Sequence, residues 1–176
     1  MKEYKLGLVL GRFQVFHKGH ELIINTALEH CEKVLIFIGS SDKSNTYENP
    51  FDYDFRLEII KSVYDNHNII IAPLADLAVG DVPKWGKYVM ESAINVIGMP
   101  DCIIYGIEEK CEYWYKDYQN LAYLKVDRCG IDISSTKLKK IILEDNYADF
   151  KQYVNPKIIK YYPIIRKKLI ELNKKS

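Results

Sequence analysis

Five short apolar runs, Leu6–Leu10, Val34–Ile38, Ile69–Ala72, Cys102–Tyr105 and Leu121–Val126, recur along the chain with helical patterns between them. Each has the length of a strand. None shows the polar alternation of a sheet with one wet face, so both faces need cover. The stretches Glu21–His30, Asp54–Tyr64 and Lys84–Ile97 read as helices, and a mixed region spans Glu108–Asp117. This alternation predicts an α/β fold, a doubly wound parallel sheet with helices on both faces.

In such a sheet, ligands sit beyond the carboxyl ends of the strands, where the strand order reverses. That rule gathers Gly11 to His20, Gly39 to Asn45 and the segment after Leu74 around one crevice. The first reads Gly11-Arg12-Phe13-Gln14-Val15-Phe16-His17-Lys18-Gly19-His20 and runs straight into a helix. A helix start offers unpaired N–H groups and partial positive charge, which together stabilise an anion. His17 and His20, three residues apart, share one helical face and add donors. Gly19 between them lets a phosphate approach the backbone. The turn lacks GxGxxG, which disfavours a dinucleotide-binding dehydrogenase.

GRFQVFHKGH resembles the GRFQPxHxGH signature of nicotinamide mononucleotide adenylyltransferases, in the HxGH nucleotidyltransferase superfamily. Both the archaeal type and the adenylyltransferase part of bifunctional Nudix proteins are similar to it, and no Nudix domain is expected here. Three later stretches extend the likeness. Gly39-Ser40-Ser41 with Asn49-Pro50-Phe51 and Arg56 is similar to the family's GSA…NPF…ER segment. Glu48 stands where relatives often carry a basic residue. Loop chemistry alone accounts for the polar composition after Gly39, and Arg56 reads equally as a surface helix charge or a phosphate contact.

Asp81-Val82-Pro83-Lys84-Trp85 predicts a helix with Pro83 in its first turn and Asp81 as N-cap. Trp85 then faces core or cleft, and the resemblance implies stacking on a nicotinamide ring, a cation–π contact. Tyr113, Trp114 and Tyr115 read as a packed aromatic cluster holding a short helix. Ile133-Ser134-Ser135-Thr136-Lys137-Leu138-Lys139 is the second strong signal. Ser134 fits an ordinary N-cap. The run also resembles the family's IS.T.(I/M)R motif, which closes over the β- and γ-phosphates of ATP. Lys139 replaces the motif's arginine, keeping the charge and losing the two-pronged fork.

The 176 residues predict a single domain, with a core over about 5–145 and C-terminal helices over about 146–173. Asn155 caps the last helix, Pro156 opens it, and Ile158, Ile159, Tyr162, Ile165, Leu169 and Leu172 form its apolar stripe, with a kink at Pro163. A net charge of +1 gives no support for nucleic-acid binding. No signal peptide is recognisable, and no run approaches the roughly 20 apolar residues of a membrane span. Cys31, Cys102, Cys111 and Cys129 match no zinc or CxxC pattern, so reduced thiols in a cytoplasmic protein are expected, with no protein-held metal. A homo-oligomer is compatible with the sequence.

The resemblance implies a reaction of ATP with nicotinamide mononucleotide to give NAD and pyrophosphate, with Mg²⁺ carried by ATP. It assigns His17 and His20 to catalysis. Gly11, Arg12, Phe13, Lys18, Gly19, Ser134, Ser135, Thr136 and Lys139 fall to ATP, and Gly39, Ser40, Arg56 and Trp85 to the acceptor substrate. No covalent nucleophile is required. The rival readings are phosphopantetheine adenylyltransferase, whose first motif reads G(S/T)FDP, another HxGH enzyme acting on a small phosphate, and a non-catalytic nucleotide-binding regulator.

Overall fold

A computed structural model describes residues 1–128 and 130–175, so the Cys129 thiol lies outside the described residues. The strands are β1 (Tyr4–Gly11), β2 (Cys31–Ile38), β3 (Ile69–Pro73), β4 (Cys102–Gly106) and β5 (Ala122–Val126). All pair in parallel, in the order β3-β2-β1-β4-β5. Chain order runs outward from β1 to β3 and resumes on the other side at β4, so the switch point lies between β1 and β4. The crevice predicted from sequence therefore opens at the ends of those two strands.

Two apolar layers cover the sheet. On one face Val9, Val34, Ile36, Ile38 and Ile104 meet α1 (Lys18–His30), α2 (Tyr53–Val63), α5 (Ser135–Leu143), α6 (Tyr147–Tyr153) and α7 (Tyr162–Lys175). On the other, Leu8, Leu35, Phe37 and Ile103 meet α3 (Pro83–Val96) and the single turn α4 (Cys111–Trp114). Alternate residues of one strand serve opposite layers, which is why the apolar runs are continuous.

Most predicted bounds agree to within a few residues, and two expectations are corrected. The last helix is not one kinked piece. A 3₁₀ segment, Pro156–Tyr161, precedes α7, and Pro163 lies in the first turn of α7, where its missing N–H costs nothing. Asp81 is not the cap of α3 either. Pro83 begins the helix, so the cap position falls on Val82, which makes no side-chain cap bond, and Asp81 instead faces Lys110 at 3.6 Å. Ser134 and Asn155 do cap, accepting from the N–H of Lys137 and Lys157. Cys31, Cys102 and Cys111 are free and buried. Among the described residues, no helix is long and apolar enough to cross a membrane.

Candidate active site

The loop leaving β1 folds back on itself. Phe13 has φ 55° and is buried, and the Gln14 side chain bonds both backbone groups of Phe51, at 2.9 and 3.0 Å, tying this loop to the one before α2. His17 then caps α1, its Nδ1 accepting the Gly19 N–H at 3.1 Å, while the His17 N–H donates to Nδ1 of His20 at 3.2 Å. With each Nδ1 occupied as an acceptor, each neutral ring carries its proton on Nε2.

The two imidazoles stack with centroids 3.7 Å apart, and Phe13 packs edge-on against His20 at 4.9 Å. Both rings line the cleft. Burial, reinforced by Arg128, pushes His17 down to about 3. Burial holds His20 well below the ordinary histidine range, with the like charges of His17 and Arg128 adding to the effect. The pair is thus two neutral Nε2–H donors at a helix N-terminus.

A cavity of about 340 Å³ lies over this turn. Gly11, Arg12, Phe13, Ser135, Thr136 and Lys139 line it, as does the capping Ser134. The sequence-predicted phosphate motifs at α1 and α5, more than a hundred residues apart, therefore face one space. Lys139 is only 5% exposed, and its ammonium donates to the carbonyls of Tyr47 at 2.8 Å and Glu48 at 3.4 Å. It thereby anchors the loop before α2 as well as lining the cavity.

A second cavity of about 310 Å³ adjoins the first. Gly39, Ser40, Asp76, Trp85 and Trp114 line it, and Leu10, Gly11, Arg12 and Glu109 line both, so the two meet at the end of β1. Ser40, at φ 47°, donates to Asp76 at 2.9 Å, and Lys43 pairs with the other carboxylate oxygen at 2.6 Å, fastening the loop after β2 to the loop after β3. Trp114 belongs to this cavity wall, whereas Tyr115 is buried in the packed cluster and Tyr113 is exposed.

Three predicted residues stand elsewhere. Lys18 is exposed on α1 and lines neither cavity, because the helical position beside His17 turns away from the shared face of His17 and His20. Arg56 is neither a surface charge nor a cleft residue. At 1% exposure it donates to the carbonyls of Arg12 at 2.8 Å, Gly39 at 2.7 Å and Ser40 at 3.0 Å, a strut beneath both loops. The space beside Gly19 is taken by protein, since a Cβ there would lie 2.7 Å from Nη1 of Arg128.

Arg128, Glu108 and Glu109 also line the first cavity, and none belongs to a motif. Arg128 reaches it from the loop after β5, held by Glu108 at 3.0 Å and the Ile133 carbonyl at 3.2 Å. The rule that ligands gather at the carboxyl ends of strands was the available signal for all three, each lying a few residues beyond β4 or β5.

Residues 8–141 match the family described as cytidylyltransferase-like. Among curated relatives, the nicotinamide-nucleotide adenylyltransferase of Saccharolobus solfataricus is 38% identical over 88 residues, 47% of this chain and 50% of the relative. That of Aeropyrum pernix is 35% identical over 86 residues, 46% of this chain and 49% of the relative. These matches span about half the length of the relatives. A solved bifunctional NMN adenylyltransferase/ADP ribose pyrophosphatase from Francisella tularensis superposes with a TM-score of 0.74 at 25% identity, covering 98% of this chain and 53% of that one, and was solved complexed with AMP and a manganese ion.

Proposed function

The chain belongs to the cytidylyltransferase-like family, and from that membership we propose that it transfers the adenylyl group of ATP to nicotinamide mononucleotide, releasing pyrophosphate and forming NAD. The observation that carries this reading is the junction of two cavities at Gly11 and Arg12, one rich in phosphate donors and the other walled by two tryptophans. The names of the relatives support the same acceptor.

Adenylyl transfer joins an oxygen of the acceptor's phosphate to the α-phosphorus of ATP as the bond to the β-phosphate's bridging oxygen breaks. The two phosphates must therefore meet in line, and the seam between the cavities is where they would do so. The Nε2–H groups of His17 and His20 donate to phosphate oxygens there without having to lose a proton first. Arg12 and Arg128 supply the fixed positive charge that a buried, neutral histidine pair lacks. At the other end, Ser135, Thr136 and the first turn of α5 receive the β- and γ-phosphates, which become the leaving pyrophosphate. Trp85 presents an indole face to the nicotinamide ring.

No side chain forms a covalent intermediate in this scheme. A magnesium ion arriving with ATP would be held chiefly by the phosphates and water and would neutralise part of their charge. Among the described residues, no three His, Cys, Asp or Glu side chains converge to hold a metal. The manganese ion in the Francisella tularensis complex supports a divalent ion in this role.

The test is pyrophosphate release from Mg-ATP with nicotinamide mononucleotide, its deamido acid, phosphopantetheine or glycerol 3-phosphate as acceptor. Release with nicotinamide mononucleotide is expected. Release with phosphopantetheine alone would overturn the acceptor, and silence with all four would make the protein a nucleotide-binding regulator.

A further inference from the structure

The carboxylates around the second cavity are not equivalent. Asp76 is neutralised by Lys43 at 2.6 Å, and Asp81 faces Lys110 at 3.6 Å. Glu108, next in sequence to the seam, pairs with Arg128 at 3.0 Å. Glu109 differs from all three. It is half-buried, it lines both cavities, and among the described residues it has no ion pair. The Cys111 thiol, 3.7 Å from Oε2, is a weak donor that cannot balance a full charge.

Removing a carboxylate from water without a partner is costly, and the protein bears that cost by holding Glu109 partly protonated. Burial, then the neighbouring Glu108 charge, pushes it up to about 7, with the Cys111 thiol and the more distant Arg128 offsetting only part of the rise. A bound group carrying positive charge would reverse the cost. The second cavity is also lined by two indoles that suit a flat cation, Trp85 and Trp114. Arg12, the basic side chain shared by both cavities, stands at the seam where the phosphates meet.

Resting on the acceptor proposed above, we infer that Glu109 determines acceptor specificity: its carboxylate is the counter-charge of the cationic nicotinamide ring and disfavours the analogue whose ring bears a carboxylate. An uncharged side chain at this position would retain the cavity's shape and lose the discrimination.

The test is steady-state kinetics with nicotinamide mononucleotide and nicotinate mononucleotide, each at saturating Mg-ATP, together with an ATP and a magnesium titration. In wild type the KM for the acid should exceed that for the amide. Glu109→Gln should raise the KM for the amide by roughly tenfold, the size of one partly screened charge pair, with a smaller effect on kcat and on the KM for ATP. The KM for the acid should stay level or fall, and Glu109→Asp should restore the preference.

Parallel rises with both acceptors would overturn the inference in favour of an uncharged contact, and a change confined to the magnesium requirement would overturn it in favour of a metal ligand. Should the glutamine variant fail to fold, equal KM values for the two acceptors in wild type would still refute it. A wild type that releases no pyrophosphate with either acceptor sinks the functional reading, and the inference with it.

Discussion

His20 is fixed from three sides, by the stacked ring of His17 at 3.7 Å, the edge of Phe13 at 4.9 Å and the ring of Phe16 at 5.7 Å. In the proposed reaction, a donor so held needs no reorganisation as charge gathers on the α-phosphate, the condition under which one hydrogen bond accelerates a reaction most. His20→Ala should therefore lower kcat by roughly 10²–10³ with little change in the KM for ATP, measured as pyrophosphate release. An unchanged kcat would remove His20 from the mechanism. The same burial has a stability consequence. His17 titrates at about 3 in the folded chain and near the ordinary 6.5 when unfolded, so the unfolded state binds the extra proton between those values. Its contribution is fully present above pH 6.5 and is lost as pH falls towards 3, with a limiting slope of about 1.4 kcal/mol per pH unit. His17→Asn keeps a capping oxygen for the Gly19 N–H and should make the urea-midpoint profile between pH 6.5 and 4.5 shallower, the remaining slope belonging to His20. The histidines were legible because their chemistry and spacing are local. Arg56 was misjudged because an arginine on a helix gives no sign in sequence of the three loop carbonyls, of Arg12, Gly39 and Ser40, that surround it.

Elements place the cavities, and the closest approach between them is set by a glycine. At Gly86 of α3 an added Cβ would lie 1.9 Å from the backbone oxygen of Trp114, so α4 can pack against α3 only because that side chain is absent. Trp85 and Trp114, one on each helix, thereby line the same cavity. Gly86→Ala must push α4 outward, an overpacking cost of about 1–3 kcal/mol that thermal melting would register. It should also raise the KM for nicotinamide mononucleotide more than that for ATP, because α4 borders the second cavity and not the first. Trp85→Ala gives the matching control, with the same split in KM expected from loss of the indole face and equal effects on both substrates assigning Trp85 to the core. The strands and long helices could be read from periodicity, which reports burial directly. The single turn α4 was expected only as a short helix in the aromatic cluster; its bounds were not legible, since Cys111–Trp114 is too short for a helical period and its position depends on contact with α3. Asp81 failed as a cap for a similar reason, because Pro83 fixes where the helix begins more strongly than a favourable cap residue one position too early.

At the scale of the molecule, the proposed phosphate site is divided between chain segments that meet only when the fold is complete. Its second half, Ser134 to Lys139, sits on α5, and α5 packs against α6 and α7. The C-terminal stripe was legible as a surface seeking a partner, but the sequence could not say that its partner is the helix that carries the second phosphate motif. Ile158, Ile165, Leu169 and Leu172 are buried in that layer, and Tyr162 donates to Asp145 at 2.6 Å just beyond α5. Asn155 reaches across to Glu21 of α1 at 2.7 Å, so the segment braces both helices that face the cleft. Burying four large aliphatic side chains contributes on the order of 10 kcal/mol before the entropy of ordering them, a figure that rivals the roughly 5–15 kcal/mol of net stability of a whole domain. A chain ending at Asn155 should therefore lose its cooperative thermal transition, and with it nucleotide binding. If the shortened chain instead melts cooperatively within a few degrees of the full one, the C-terminal layer is peripheral and α5 is held by the sheet alone. A cooperative melt with weakened ATP binding and unchanged acceptor binding would place the brace at the triphosphate end of the cleft specifically.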